Sequence, residues 1–115
     1  MAEHITREEM KDALQASAIT LVEALPEKYY NDGHLPGAVQ MNHDEVVAKA
    51  DILLPDKAAL IVTYCASETC PNSGYVADQL IARGYTNVKK YVGGKRDWEE
   101  AGEKFEQKST PTNVT

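Results

Sequence analysis

Ala59-Leu60-Ile61-Val62-Thr63-Tyr64, followed by Cys65-Ala66-Ser67-Glu68-Thr69-Cys70-Pro71-Asn72-Ser73, is the stretch that decides the fold. Its first part is apolar and β-branched without alternation, the pattern of a strand buried on both faces, as in a parallel sheet. The polar, proline-containing part is a loop. A helix is expected after it, from about residue 73 to 83, with Val76, Ala77, Leu80 and Ile81 as its apolar face. Gly84 stands where a left-handed C′ residue would stop it.

Working outward, the same alternation of strand and helix recurs. Residues 19–23 read as a buried strand and 88–92 as another, with a short strand at 38–41. Residues 5–17 read as a helix, with Thr6 and Glu9 forming a capping box and Ile5 and Met10 a hydrophobic staple. Pro26 to Asp32 suggest a short helix or turn. Asn42 is placed to cap a helix over about 43–50, with Glu45 in the capping-box position. A last short helix surrounds Trp98 and ends at Gly102. Strands alternating with helices predict an α/β architecture of three layers, a central, mostly parallel sheet flanked by helices. One domain is expected over 1–102, with a polar tail over 103–115 that frays. Sites in such sheets lie beyond the carboxyl ends of the strands, which points to the loop at Cys65.

Composition narrows the function. The chain has 115 residues, 43% apolar and 26% charged, the balance of a folded globular domain. Its net charge of -6 argues against nucleic acid or an anionic membrane as a main partner. The longest apolar run, Ala58 to Val62, is far short of the roughly 20 residues that span a bilayer. The N-terminus carries no basic segment followed by an apolar one, so a cytoplasmic location is expected. Cys65 and Cys70 do not make a disulfide framework, and reduced thiols are the simplest reading. Their spacing, and that of His4, His34 and His43, suggests no metal site, and no cofactor is implied.

Cys65 has two local readings. It ends a strand and precedes a helix, where the helix dipole and unpaired N–H groups favour a thiolate. The same position also suits an inert, buried cysteine. Three separated motifs favour the first. Gly33-His34-Leu35-Pro36-Gly37-Ala38, Val62-Thr63-Tyr64-Cys65, and Gly84-Tyr85-Thr86-Asn87-Val88 through Gly93-Gly94, Trp98 and Ala101-Gly102 occur in order along nearly the whole chain. In this the sequence resembles the single-domain rhodanese-like sulfurtransferases.

The resemblance implies an enzyme that moves a sulfane sulfur through a Cys65 persulfide, from thiosulfate or a persulfide to a thiol or cyanide. Its partners would be a small-molecule sulfur donor and a thiol acceptor, a protein acceptor included. Cys65 would be the catalytic nucleophile. The loop amides of Ala66, Ser67, Glu68, Thr69, Cys70 and Ser73 would bind the sulfur anion. His34 is expected to be structural and Glu23 a hydrogen-bonding residue at a strand end. Cys70 is open to two readings, a resolving thiol or a packing residue. Two other classes remain, a non-catalytic binding module of the same fold and a thiol redox protein using both cysteines. A cysteine phosphatase is disfavoured, because its C-x5-R motif would need Arg where Pro71 stands.

The sequence departs from the family's usual pattern in charge. No Arg or Lys lies between Cys65 and Ser73, whereas Glu68 does. The family's Asp-Val-Arg strand end is Glu23-Ala24-Leu25 here. Lys95 and Arg96 could restore positive charge near the loop, but the simpler reading is the start of a solvated helix.

Overall fold

The computed structural model describes residues 2–106. Five strands alternate with five helices: β1 (Glu3–His4), α1 (Arg7–Gln15), β2 (Thr20–Glu23), α2 (Glu27–Asp32), β3 (Val39–Gln40), α3 (Val46–Leu53), β4 (Ile61–Tyr64), α4 (Asn72–Ala82), β5 (Val88–Tyr91) and α5 (Gly94–Glu100). The sheet order is β1-β5-β4-β2-β3 and every pairing is parallel, so the expected α/β class holds. β4 is central, with Tyr64 beside Glu23 of β2 and Tyr91 of β5.

Side-chain alternation along the strands divides the core into two clusters, one on each face. Val22, Ile61 and Val88 pack with Val46 and Ala50 of α3 and Val76, Ala77 and Leu80 of α4. Leu21, Val62, Tyr64 and Tyr91 pack with Met10 of α1 and Trp98 of α5. Helices therefore cover both faces, which is what lets β4 be buried at every position. Among the described residues no helix is long and apolar enough to cross a membrane.

Local chemistry explains the helix ends. At α1 the Thr6 hydroxyl accepts from Glu9 N–H (3.1 Å) and Thr6 N–H donates to the Glu9 carboxylate (3.0 Å), the expected capping box. Ile5 and Met10 are both buried in the second cluster. α4 ends with Tyr85 N–H on Leu80 O and Gly84 N–H on Ile81 O, both 3.1 Å. Gly84 has φ +99°, so this is a Schellman motif built on the predicted glycine. α1 closes the same way, with Ala18 N–H on Ala13 O and Ser17 N–H on Leu14 O, but Ser17 holds the left-handed position at φ 54°.

Three expectations about the elements differ from the structure. β1 was not anticipated; its two exposed residues pair with β5 through the backbone, leaving no apolar pattern to read. α3 starts at Val46 rather than 43 and runs on to Leu53. Glu45 accepts from Asn42 N–H (3.0 Å) as a capping box requires, but Glu45 N–H donates to the Asn42 backbone carbonyl (2.9 Å) rather than to its side chain, so the reciprocal half is missing. Pro55 then disfavours continuing the helix through Leu54. On α4, Ile81 is exposed at 36% and only Val76, Ala77 and Leu80 are core.

The segment expected to fray from Glu103 is docked as far as it is described. Lys11 Nζ meets Glu103 Oε2 at 2.6 Å, and Trp98 Nε1 donates to Lys104 O at 3.0 Å. Phe105 packs against the second cluster, and His34 and Glu106 form an antiparallel bridge. Residues 107–115 of the expected tail lie outside the described residues.

Candidate active site

Cys65 directly follows β4, at the carboxyl end of the central strand, and is 1% exposed. Its backbone is held from the opposite side of the site. Lys95 N–H donates to Cys65 O and Arg96 N–H to Ala66 O, both at 2.9 Å. These are first-turn amides of α5, which have no partner within their own helix. The approach is close enough to require glycine at the preceding position. Gly94 has φ +62°, and a Cβ there would run into the Cys65 carbonyl. On the other side of the loop the Thr63 hydroxyl donates to Ser73 O (3.0 Å), tying β4 to the first turn of α4.

The loop folds back on itself. Cys70 N–H donates to Ser67 O (3.1 Å), and the hydroxyls of Ser67 and Thr69 are 3.0 Å apart. This turn carries Cys70 to Cys65, and the two form a disulfide with a Cα–Cα distance of 6.3 Å. The expectation of two reduced thiols is corrected in this state of the molecule. Spacing left the pairing open, as one of the two readings of Cys70, because the turn at Ser67 is what brings the pair together. The same turn engages the Cys70 amide, which leaves the anion-binding set proposed for it. Ala66, Glu68 and Thr69 are exposed, Ser67 is half-buried and Ser73 is buried.

Two cavities border the loop that follows Cys65, and Cys65 lines neither. One, of about 290 Å³, lies between Ser67, Glu68 and Thr69 of the loop and Gly93, Arg96, Asp97 and Glu100 at α5. The other, of about 380 Å³, is bordered by Tyr29, Asp32, Gly33, Ala66, Lys95, Arg96, Glu99 and Phe105.

Three cations near the loop are paired with carboxylates. Glu23 is fully buried; its Oε1 accepts from the Tyr64 hydroxyl (2.8 Å), which in turn accepts from Leu35 N–H (3.0 Å). Its Oε2 lies 2.9 Å from Lys95 Nζ. Lys95 Nζ also donates to Tyr29 O at 2.9 Å. Burial pushes the Glu23 carboxyl above its usual range, against the pull of Lys95 and Tyr64. Burial and the neighbouring Glu23 charge push the Tyr64 phenol far upward. Lys95 is thus not the solvated helix start expected, being 17% exposed and fixed to a buried acid. Arg96, 73% exposed, pairs with Glu100 at 3.2 Å. Asp97 accepts from the Tyr91 hydroxyl and from Arg7 (2.7 Å), and these bonds hold its carboxyl below the usual range despite partial burial.

His34 is buried as a structural group. Its Nδ1 donates to Tyr30 O (2.8 Å), and its ring stacks on Tyr30 with centroids 3.8 Å apart.

Compared with protein families, residues 6–101 match the Rhodanese-like domain. The chain belongs to this family. Among curated relatives, the rhodanese-like domain is 31% identical over 98 residues to the HTH-type transcriptional regulator Rv0324 of Mycobacterium tuberculosis, covering 85% of this chain and 42% of the relative. It is 30% identical over 84 residues to the adenylyltransferase and sulfurtransferase UBA4 of Candida albicans, covering 70% of this chain and 19% of the relative. The chain thus spans less than half the length of these relatives. Among solved structures, the BH2092 protein of Bacillus halodurans superposes with a TM-score of 0.84 at 19% identity, over 92% of this chain and 77% of that one, which shows a shared fold. The rhodanese-like fold expected from the motifs is therefore the fold observed.

Proposed function

We propose that this rhodanese-like domain is a sulfurtransferase that carries a sulfane sulfur on Cys65. The reading rests on one observation: Cys65 sits at the end of the central strand, with its carbonyl fixed by the first turn of α5 and a seven-residue connection to α4 closing over it. The sulfurtransferase named among the relatives supports the chemistry. The Cys65 thiolate attacks the outer sulfur of the donor. With thiosulfate the S–S bond breaks and sulfite leaves; with a persulfide, a thiolate leaves. An acceptor thiolate or cyanide then attacks the outer sulfur of the Cys65 persulfide, and Cys65 leaves as thiolate. The amides of Ala66, Ser67, Glu68, Thr69 and Ser73 are the candidates to stabilise the persulfide anion.

The cycle begins from the reduced protein, so it belongs to a reducing compartment, which we take to be the cytoplasm. A thiol or dithiol must first open the Cys65–Cys70 disulfide. Intact-mass measurement of the reduced protein after exposure to thiosulfate or a low-molecular-weight persulfide tests the proposal. One added sulfur on the parent and none on Cys65→Ser is expected. Transfer to cyanide at the parent rate by Cys65→Ser would overturn it.

A further inference from the structure

We infer a second activity for the same loop: Cys70 converts the Cys65 persulfide into free sulfide. The inference rests on the persulfide reading above and adds to it a different fate for the sulfur.

The fate depends on which sulfur is attacked. A transfer acceptor attacks the outer sulfur and takes it away. A thiolate that attacks the inner sulfur, Cys65 Sγ, expels the outer one as hydrosulfide. The Cys65–Cys70 disulfide is the product of that second attack. Cys65–S–SH and the Cys70 thiolate give Cys65–S–S–Cys70 and HS⁻. The S–S bond of the persulfide breaks, the bond between the two Sγ atoms forms, and the sulfane sulfur leaves with the electron pair. Both protein thiols are oxidised as that sulfur is reduced. Two low-molecular-weight thiols, or one dithiol, then restore the cysteines.

Three features favour the inner sulfur. The Cα–Cα distance of 6.3 Å in the linked loop is within the span that a disulfide bridges, so this backbone accommodates the product of the attack. The turn from Ser67 O to Cys70 N–H, and the contact between the Ser67 and Thr69 hydroxyls, hold the loop toward Cys65 through contacts other than the disulfide itself. Cys65 is 1% exposed, whereas Cys70 is half-buried beside it, so an external thiol has less access to Cys65 Sγ than Cys70 has. A thiol held in the same loop also avoids the entropic cost of a bimolecular encounter. In this protein, transfer and sulfide release therefore compete for each persulfide. External acceptors capture the sulfur only when they reach the outer atom before Cys70 reaches the inner one.

The test is a single turnover with prereduced protein, freed of reductant and mixed with less than one equivalent of a low-molecular-weight persulfide. Sulfide is measured colorimetrically and the protein by intact mass. The parent is expected to release sulfide nearly in step with the donor consumed and to end as the disulfide. Cys70→Ser and Cys70→Ala are expected to accumulate the Cys65 persulfide and release sulfide at least about tenfold more slowly, reflecting loss of an intramolecular thiol. A stable persulfide on the parent, with no disulfide, would overturn the inference while leaving the transferase reading intact. Absence of a persulfide from the parent and both Cys70 variants, with donor unconsumed, would overturn both. Sulfide release at the parent rate by the Cys70 variants would assign release to another route and overturn the inference alone.

Discussion

Replacing Lys95 by Met is expected to make the protein unstable in a pH-dependent way. Lys95 supplies the cation at 2.9 Å from Glu23, a carboxylate with no exposed surface. Breaking a buried pair by removing one partner costs about 3–5 kcal/mol, because the remaining charge stays desolvated. Lys95 is itself 17% exposed, so water can reach part of the vacated site and the lower end, about 3 kcal/mol, is expected near neutral pH. That is a large share of the roughly 5–15 kcal/mol that holds a domain folded.

The sign of the pH dependence follows from Glu23. Its carboxyl is raised in the folded protein above the ordinary value of 4.5, so the native state binds the proton more tightly than the unfolded chain. Stability from this group is present below the unfolded value and is lost as pH rises through the folded one. Removing Lys95 removes a group that pulls Glu23 down, so the window of loss widens upward. Urea unfolding of parent and Lys95→Met at about pH 5 and about pH 7, with the same redox state throughout, gives the difference directly. The gap should be clearly larger at the higher pH. The double variant Glu23→Gln, Lys95→Met should recover most of the loss, since a neutral amide need not be paired with a cation. An equal gap at both pH values, with no recovery in the double variant, would refute the reasoning.

Gly94→Ala should destabilise the domain by about 2 kcal/mol or more, because the new methyl meets the Cys65 carbonyl at a left-handed φ, and persulfide formation should fall with it; unchanged thermal unfolding and sulfur loading would count against the clamp. Ser17→Gly should stabilise by roughly 0.5–1 kcal/mol, relieving the left-handed backbone at φ 54°, as read by denaturant midpoint without a change in slope. Thiosulfate should be a poorer donor than a low-molecular-weight persulfide, and Glu68→Arg should lower KM for thiosulfate by about fivefold with little change in kcat, the pattern of a binding contact. Steady-state kinetics on both donors decides it, and a KM that does not move would sink the electrostatic argument.

Four of the five strands and the position of Cys65 were legible in the sequence because each is encoded locally. Ile61 to Tyr64 form a buried run, and the loop after it can start only where that run stops. The Thr6–Glu9 box and the Gly84 stop were legible for the same reason, since each is a contact within a few residues. What stayed hidden was set by distant partners. β1 is two exposed residues stabilised by the backbone of β5, which no side-chain pattern records. The disulfide, left open by the two readings of Cys70, depends on a turn among Ser67, Thr69 and Cys70 in a loop without periodicity. The docking of Phe105 depends on a surface that exists only once α2, the Gly33 turn and α5 have assembled.

Lys95 was the most informative misreading, and the sequence did hold a signal for it. Glu23-Ala24-Leu25 keeps an acid at the end of a buried strand but places Leu25 where the resembling family has Arg. A buried carboxylate without a cation is costly, so its charge has to be met from another part of the chain. Lys95, just after the Gly93–Gly94 turn that brings α5 against Cys65, is the residue that meets it. The consequence reaches the chemistry. Lys95 faces Glu23, Arg96 faces Glu100 and Arg7 faces Asp97, so each of these cations near the loop already has an anionic partner. Glu68 borders the same cavity as Arg96, Asp97 and Glu100. A dianionic donor entering there would have to displace a carboxylate from its guanidinium, whereas a donor with less charge would not. On the proposed function, the Lys95 charge that meets Glu23 is thus charge withdrawn from donor binding, and a preference for less charged sulfur donors would follow from the way this domain solves a burial problem in its core.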